Sequence, residues 1–350
     1  MKAAFKKYTL YFKRPSGTSR GILDQKETWF LILENEGSYG IGECGMFKGL
    51  SLDDVPGFED KLQWVCASIE EGKTDLWSEL RDFPSIQFGL EQAFLSLESE
   101  HPFVLFPSEF TRNEAMIPIN GLIWMGDKGY MLEQIQQKLE AGFSCLKLKI
   151  GAIDFKSEIS LLEAIRKEYS QDRIELRVDA NGAFKPEEAL VKLKELSNFG
   201  LHSIEQPIRQ GNLMKMKSLC ENSPLPIALD EELIGVIDVS KKKLLLETIC
   251  PQYIILKPTL VGGYKGSEEW IEIAESLKIG WWITSALESN IGLNAIAQWT
   301  YNLNSPMAQG LGTGGLYTNN FESPLQVKNG YIYSRKNTGW QSDVIEDLCL

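Results

Sequence analysis

Six charged residues, spaced one short segment after another, are what could do chemistry together in this 350-residue chain. Lys147 and Lys149 stand in Cys145-Leu146-Lys147-Leu148-Lys149. Asp179, Glu205, Asp230 and Lys257 follow Lys149 at intervals of 30, 26, 25 and 27 residues, and Ser285 comes 28 further on. Three carboxylates gathered in a small concave site cannot all stay ionised without a cation, because like charges at short range raise one another's pKa. Oxygen ligands without histidine point to magnesium, with manganese as the second choice. Such an ion beside a substrate carboxylate can stabilise the enediolate that forms when the neighbouring carbon loses its proton. A lysine that takes this proton must be neutral, so Lys149 is expected to have a lowered pKa, with the cation and Lys147 both pushing it down. Lys257 would approach the substrate from its other face. With only His101 and His202 in the chain, a Ser-His-Asp triad or a multi-histidine metal site would have to use one of these.

Singly, each residue has a plainer reading. Lys147 and Lys149 could protect an exposed edge strand, Asp179 could cap a helix or a turn, and Glu205, Asp230 and Lys257 could end strands at the surface. Together they recur at the spacing of one structural unit, which independent surface charges would not do.

The elements that must position them follow from periodicity. From Ile117 the chain repeats a short apolar strand, a turn and an amphipathic helix: Ile117–Ile123, Cys145–Ile150, Ile174–Asp179, Ser203–Glu205, Ile227–Asp230, Tyr253–Lys257, Gly280–Ser285 and Met307–Gly312 read as eight strands. Eight strand-helix units in about 200 residues predict an α/β fold, a (β/α)8-type barrel over residues 116–320. A doubly wound sheet is the runner-up, but the Gly-x-Gly-x-x-Gly turn after its first strand is missing. Polar residues at the C-terminal strand ends then converge on one mouth. Strand alternation turns Cys145, Lys147 and Lys149 inward and sets Arg177 beside Asp179.

Before the barrel, Phe5–Phe12, Thr28–Glu34 and Tyr39–Glu43 read as a meander, and residues 51–100 as helices, giving an N-terminal α+β capping domain over 1–115. Its loops Pro15–Arg20 and Met46–Ser51 are expected to close over the mouth. Residues 321–350, with the hairpin turn Lys328-Asn329-Gly330, are expected to fold back on this domain. Lys241-Lys242-Lys243 reads as a solvated run, His202 as the start of the fourth strand near the barrel floor, and Cys145 as a small core residue.

Acids exceed bases 48 to 36, for a formal charge of −12, which argues against nucleic acid as a partner. No apolar run suggests a signal peptide or membrane span. Six cysteines without a Cys-x-x-Cys pair fit a reducing, cytoplasmic setting. The expected partner is a small carboxylate; oligomeric state is not legible.

In order, these segments resemble the enolase superfamily, and within it the muconate-lactonizing-like subgroup, over nearly the whole chain. The resemblance rests on Gly40-Ile41-Gly42-Glu43, Lys147-Leu148-Lys149, Val178-Asp179-Ala180-Asn181, Ile204-Glu205-Gln206-Pro207, Leu229-Asp230-Glu231 and Leu256-Lys257-Pro258. It implies a Mg2+ site of Asp179, Glu205 and Asp230, a pairing of lysine base and magnesium found in that superfamily. It also implies that Lys149 is the base, with Lys147 beside it and Lys257 acting as a cation. Thr284-Ser285-Ala286-Leu287-Glu288-Ser289-Asn290-Ile291-Gly292 is similar to the members that dehydrate a succinyl-hydroxycyclohexadiene carboxylate to an aromatic acid in menaquinone synthesis. By that resemblance, protonated Lys149 also assists departure of the hydroxyl on the same face. Asn181, Ser285, Arg177 and Gly312 would contact substrate, with Glu231 and Glu288 supporting from behind. The eighth strand lacks the Asp-x-Asp of dipeptide epimerases. Racemisation of N-succinylamino acids by the same lysines stays open, as does, more remotely, a non-catalytic barrel that binds a carboxylate.

Overall fold

The computed structural model describes residues 1–18, 21–151, 153–335, 340, 344 and 348. β1 (Lys2–Thr18), β2 (Gly21–Asn35) and β3 (Ser38–Cys44) form an antiparallel sheet in that order. Glu36 and Gly37, at φ 52° and 85°, make the turn between β2 and β3, a pair of positive values that matches the twist of a two-residue hairpin. β1 runs past the expected end at Phe12 because its pairing with β2 shifts register between Tyr11 and Ser16; such an irregularity erases the alternation a strand is read from. Pro15–Thr18 are therefore strand rather than loop, while Ser19 and Arg20 lie outside the described residues.

α1 (Phe58–Ala67), α2 (Lys73–Glu79) and α3 (Pro84–Glu98) cover this sheet. Trp29, Leu31 and Leu33 pack against Leu62, Val65, Leu90 and Ala93. α3 and β3 approach so closely that a Cβ on Gly42 would collide with the carbonyl of Gly89, which is the packing reason for glycine in Gly40-Ile41-Gly42-Glu43.

The expected first barrel strand is divided. β4 (Ile117–Pro118) leaves the barrel to pair with the C-terminal hairpin, and β5 (Gly121–Ile123) joins the parallel sheet. Then come α4 (Lys128–Glu140), β6 (Cys145–Lys149), α5 (Phe155–Glu168), β7 (Glu175–Asp179), α6 (Pro186–Leu196), β8 (Ser203–Glu205) and α7 (Leu213–Asn222). β9 (Ile227–Leu229), α8 (Val239–Ile249), β10 (Tyr253–Leu256), α9 (Pro258–Val261), α10 (Gly263–Ser276), β11 (Gly280–Ile283) and α11 (Asn290–Asn302) complete the alternation. The parallel sheet has seven strands in the order β11-β10-β9-β8-β7-β6-β5.

The eighth expected strand, Met307–Gly312, forms no ladder. Gln309 bridges Ile119 and Gly310 bridges Thr284, both in parallel sense, so this segment touches both edges of the sheet and closes the ring. Gly310 and Gly312 give it little side chain to pack. Inside the wall of helices, Leu146, Leu148, Val178, Ile204, Leu229, Ile254 and Ile283 form the core, all fully buried.

β12 (Leu325–Lys328) and β13 (Tyr331–Ser334) make the expected hairpin, but Tyr331 and Ile332 pair with Pro118 and Ile117 at the start of the barrel. Beyond it, Trp340, Val344 and Leu348 do pack with Phe30, Ile32 and Ile41 of the N-terminal sheet. Lys242 is not solvated: only 1% exposed, it donates to Gly266 O at 2.9 Å and Glu269 Oε2 at 2.8 Å. In an amphipathic helix one of three consecutive lysines must face inward.

Candidate active site

The barrel strands are three to five residues long, so chemistry-bearing residues fall where each strand gives out. Lys149, Asp179 and Glu205 are the last residues of β6, β7 and β8; Asp230 and Lys257 follow β9 and β10 by one. Lys149 is level with Asp179, and Asp179 with Glu205, across the sheet. Just past these ends, Asn181 (φ 43°) and Gln206 (φ 39°) turn the chain through the left-handed region. The turn at Asn181 is held by its own N–H donating to Asp179 Oδ1 at 2.9 Å. Gln206, fully buried, ties the ends of β8 and β9 together: its Oε1 accepts from Asp230 N and Glu232 N, and its Nε2 donates to Glu232 Oε2.

The three acids are buried, each 3% exposed or less, and lysines stand among them. Lys147 Nζ lies 3.0 Å from Asp179 Oδ2 and also contacts Glu205. Lys149 Nζ lies 3.1 Å from Asp179 Oδ2 and donates to Asn181 Oδ1 at 2.7 Å. Lys257 contacts Asp230. Burial works to raise the Asp179 carboxyl, but the ammonium groups of Lys147 and Lys149 overcome it and hold the group well below the usual carboxylate range. Burial and the charge of Asp179 push Glu205 up. Lys147 and Lys257, which burial alone would lower, are raised by Asp179 and Glu205 in one case and Asp230 and Glu205 in the other. The carboxylates thus sit where a positive charge is needed.

Among the described residues, no three acid, histidine or cysteine side chains are already close enough to cage an ion; the ammonium groups stand between the acids. The donor set nevertheless fits a hard divalent cation. It consists of three buried carboxylates on adjacent strand ends, and among the described residues Glu205 Oε1 has no hydrogen-bond partner, a costly state for a buried polar atom.

Asp179 and the three lysines line one side of a cavity of about 820 Å³ including its open mouth. Lys147, Lys149, Asp179, Asn181, Glu231 and Lys257 face it, while Phe47, Leu50, Leu122, Trp124, Leu260 and Leu287 form an apolar wall. Phe47 and Leu50 bring the segment Met46–Ser51 over the mouth. In the ring of eight segments β6 and β10 are four apart, so Lys149 and Lys257 enter from opposite sides.

Ser285 and Gly312 also line the cavity, but the Ser285 hydroxyl is saturated. It donates to Glu288 Oε2 at 2.6 Å and accepts from Leu287 N and Thr313 Oγ1, both at 2.9 Å. Glu288 is fully buried behind it and also accepts from Thr259. Glu231 accepts from Asn181 Nδ2 at 3.1 Å. Arg177 does not join them. Its Nε donates to Glu175 Oε1 at 2.7 Å, its NH1 donates to Ala308 O at 2.9 Å, and its guanidinium lies 4.3 Å from the Trp282 ring. Parity placed it on the inward face correctly; two residues of strand, about 6.6 Å, put it on the barrel floor. Asn120 and Thr313, which face the cavity, carry no charge, and a search for charged strand ends passes over them. Asn120 was findable through its inward parity with Leu122 and Trp124.

The chain belongs to the enolase C-terminal domain-like family, whose family model matches residues 130–347. It is 48% identical to o-succinylbenzoate synthase from Desulfotalea psychrophila, over 95% of this chain and 98% of that protein. Its structure is similar to the crystal structure of MenC from Desulfotalea psychrophila, with a TM-score of 0.85 and 44% identity over 95% of this chain and 99% of that one. Muconate lactonizing enzyme from Pseudomonas fluorescens shares the fold at 20% identity, with a TM-score of 0.83 over 99% and 98% of the two chains. L-Ala-D/L-Glu epimerase from Bacillus subtilis matches at 28% identity over 48% of this chain and 45% of that protein.

Proposed function

We propose that the protein catalyses the o-succinylbenzoate synthase reaction, the loss of water from 2-succinyl-6-hydroxy-2,4-cyclohexadiene-1-carboxylate. The observation that carries this is the pair Lys149 and Lys257, entering one cavity from opposite sides beside three buried carboxylates. Nearly full-length identity to a synthase supports it. Asp179, Glu205 and Asp230 would hold a divalent cation, magnesium by the nature of the ligands. That ion, when bound, supplies positive charge to the carboxylate next to the carbon that loses its proton.

The chain's own groups do the rest. Lys149 Nζ accepts the proton from the carbon alpha to the carboxylate. The C–H electron pair then moves into the ring as the C–O bond to the hydroxyl breaks, and the Lys149 ammonium returns the proton to the departing oxygen, so one water leaves. Asn181 and Asp179 fix where Nζ sits. Lys257 stays an ammonium on the opposite face and stabilises the anion formed in between. The apolar wall accepts the ring. Among the described residues no helix is long and apolar enough to cross a membrane, and the five described cysteines are free; cytoplasmic action fits both.

The test is a time course of the diene absorbance with purified protein, with magnesium and with a chelator. Loss of the diene with magnesium only is expected. A folded protein that leaves the diene untouched overturns the reaction, and turnover indifferent to chelator overturns the cation site.

A further inference from the structure

The cavity's polar side chains are almost all spoken for. Its three lysines contact acids at the end where β7, β8 and β9 finish. Asn181 is held by Lys149 and Glu231, the Thr284 hydroxyl by Gly310 O at 3.0 Å, and the Ser285 and Thr313 hydroxyls by each other and by Glu288. Among its amide, hydroxyl and charged side chains the exception, within the described residues, is Asn120. Only 6% exposed, it anchors its backbone N–H to Gln309 O at 3.0 Å, and its side-chain amide, in the cavity lining, has no hydrogen-bond partner among the described residues. Such an amide offers two donors and one acceptor to whatever enters the cavity.

Its place in the ring says what could enter. Asn120 immediately precedes β5, four segments from β9 and Asp230, three from Glu205 and two from Asp179, and so lies across the barrel from Asp230. A substrate with its reacting carboxylate between Lys149 and Lys257 extends toward this side, where the cavity lining holds no further lysine or arginine. We propose that the Asn120 amide binds the far carboxylate of the substrate, the one ending the succinyl chain, and so selects dicarboxylates. This rests on the synthase reading above. A neutral donor suits a group that must also leave, because it grips a carboxylate less strongly than an ammonium or guanidinium would.

The contact is remote from the reacting carbon, so it should act on ground state and transition state alike and appear in KM more than in kcat. For Asn120→Leu we expect KM to rise about 10- to 100-fold with kcat within about threefold, in line with a hydrogen bond to a charged group. Asn120→Ser, which disturbs packing less, should fall between. Circular dichroism and thermal melting establish that both variants are folded.

A binding cycle reads the same contact without turnover. Calorimetric titration of magnesium-loaded protein compares o-succinylbenzoate with 2-butanoylbenzoate, which keeps the ketone and lacks the far carboxylate. Wild type should favour the dicarboxylate by at least tenfold, and Asn120→Leu should lose most of that preference. An undiminished preference in the variant, or an unchanged KM, overturns the assignment while wild-type dehydration stands. A wild type that does not dehydrate the diene overturns the synthase reading first and this assignment with it.

Discussion

The mouth and the floor of this barrel are both buried, charged clusters on the same inward face, two residues apart along β7. Asp179 at the mouth sits among lysines and opens on a cavity; Arg177 at the floor is locked to Glu175, Ala308 and Trp282, with the tilted rings of His202 and Tyr253 nearby, 4.7 Å apart. At the floor opposite charges pair and stay paired. At the mouth the charges are arranged around space, and among the described residues Glu205 Oε1 has no hydrogen-bond partner and the Asn120 amide in the cavity lining has none either. Parity along a strand assigns the face, whereas depth along it decides between structure and chemistry.

Replacing Lys149 by alanine is the largest test of that contrast. It should lower kcat by about 10³-fold, within the range for removing a general acid-base group, while calorimetry still detects product binding. Near-normal activity would mean that the mouth charges are as structural as those of the floor.

Arg177→Met should do the reverse. Removing one partner of a fully buried pair costs about 3–5 kcal/mol; because the Glu175 side chain is 38% exposed, about 2 kcal/mol is expected in urea unfolding, with kcat/KM of the folded protein within about threefold. A large loss of kcat/KM at full stability would draw the floor into the site.

A third buried charge tests the seam between the N-terminal layer and the barrel. Glu91 on α3 accepts from Tyr264 N at 2.6 Å and Lys265 N at 3.2 Å, at the start of α10. Burial raises its carboxyl to about 8, against those hydrogen bonds. The folded protein then holds a proton that the unfolded chain releases near its ordinary value, so this stability is full below about pH 4.5 and is lost as pH rises toward 8. Urea midpoints between pH 5 and 8 should fall more steeply in wild type than in Glu91→Gln; parallel profiles would show that Glu91 is not the source.

The smallest effect is expected at Lys242, a lysine whose charged form burial already disfavours. Lys242→Met should cost about 1 kcal/mol, below the about 3–5 kcal/mol of breaking a fully buried pair, because burial already works against the Lys242 charge and the Glu269 left behind keeps some access to water. Unfolding midpoints measure it, and a loss above about 3 kcal/mol would rank this pair with the floor cluster.

Much of the site was legible because strand period and unit spacing are local properties of the chain. Lys149, Asp179, Glu205, Asp230 and Lys257 each end a short apolar strand, and the recurrence of that pattern implies a ring with one mouth. The alternation of Leu146, Leu148 and Val178 with charged neighbours likewise states which face is core. Less legible were features that depend on distant partners. The eighth strand shrank to two bridges because closure rests on where Ile119 and Thr284 meet Gln309 and Gly310. β1 outran its alternation because β2 pairs with it across a register shift, and Lys242 went inward because Glu269 and Gly266 wait there.

By itself, then, the sequence determined the order of elements, the inward face and the set of charged groups at the strand ends, since each follows from short-range periodicity. Tertiary structure alone decided depth and saturation: that Arg177 is sealed in the floor, that the Ser285 hydroxyl is fully used by Glu288, Leu287 and Thr313, and that Asn120 is left free. Hydrogen bonds are satisfied between residues far apart in the chain, and only their arrangement in space says which groups remain for a ligand.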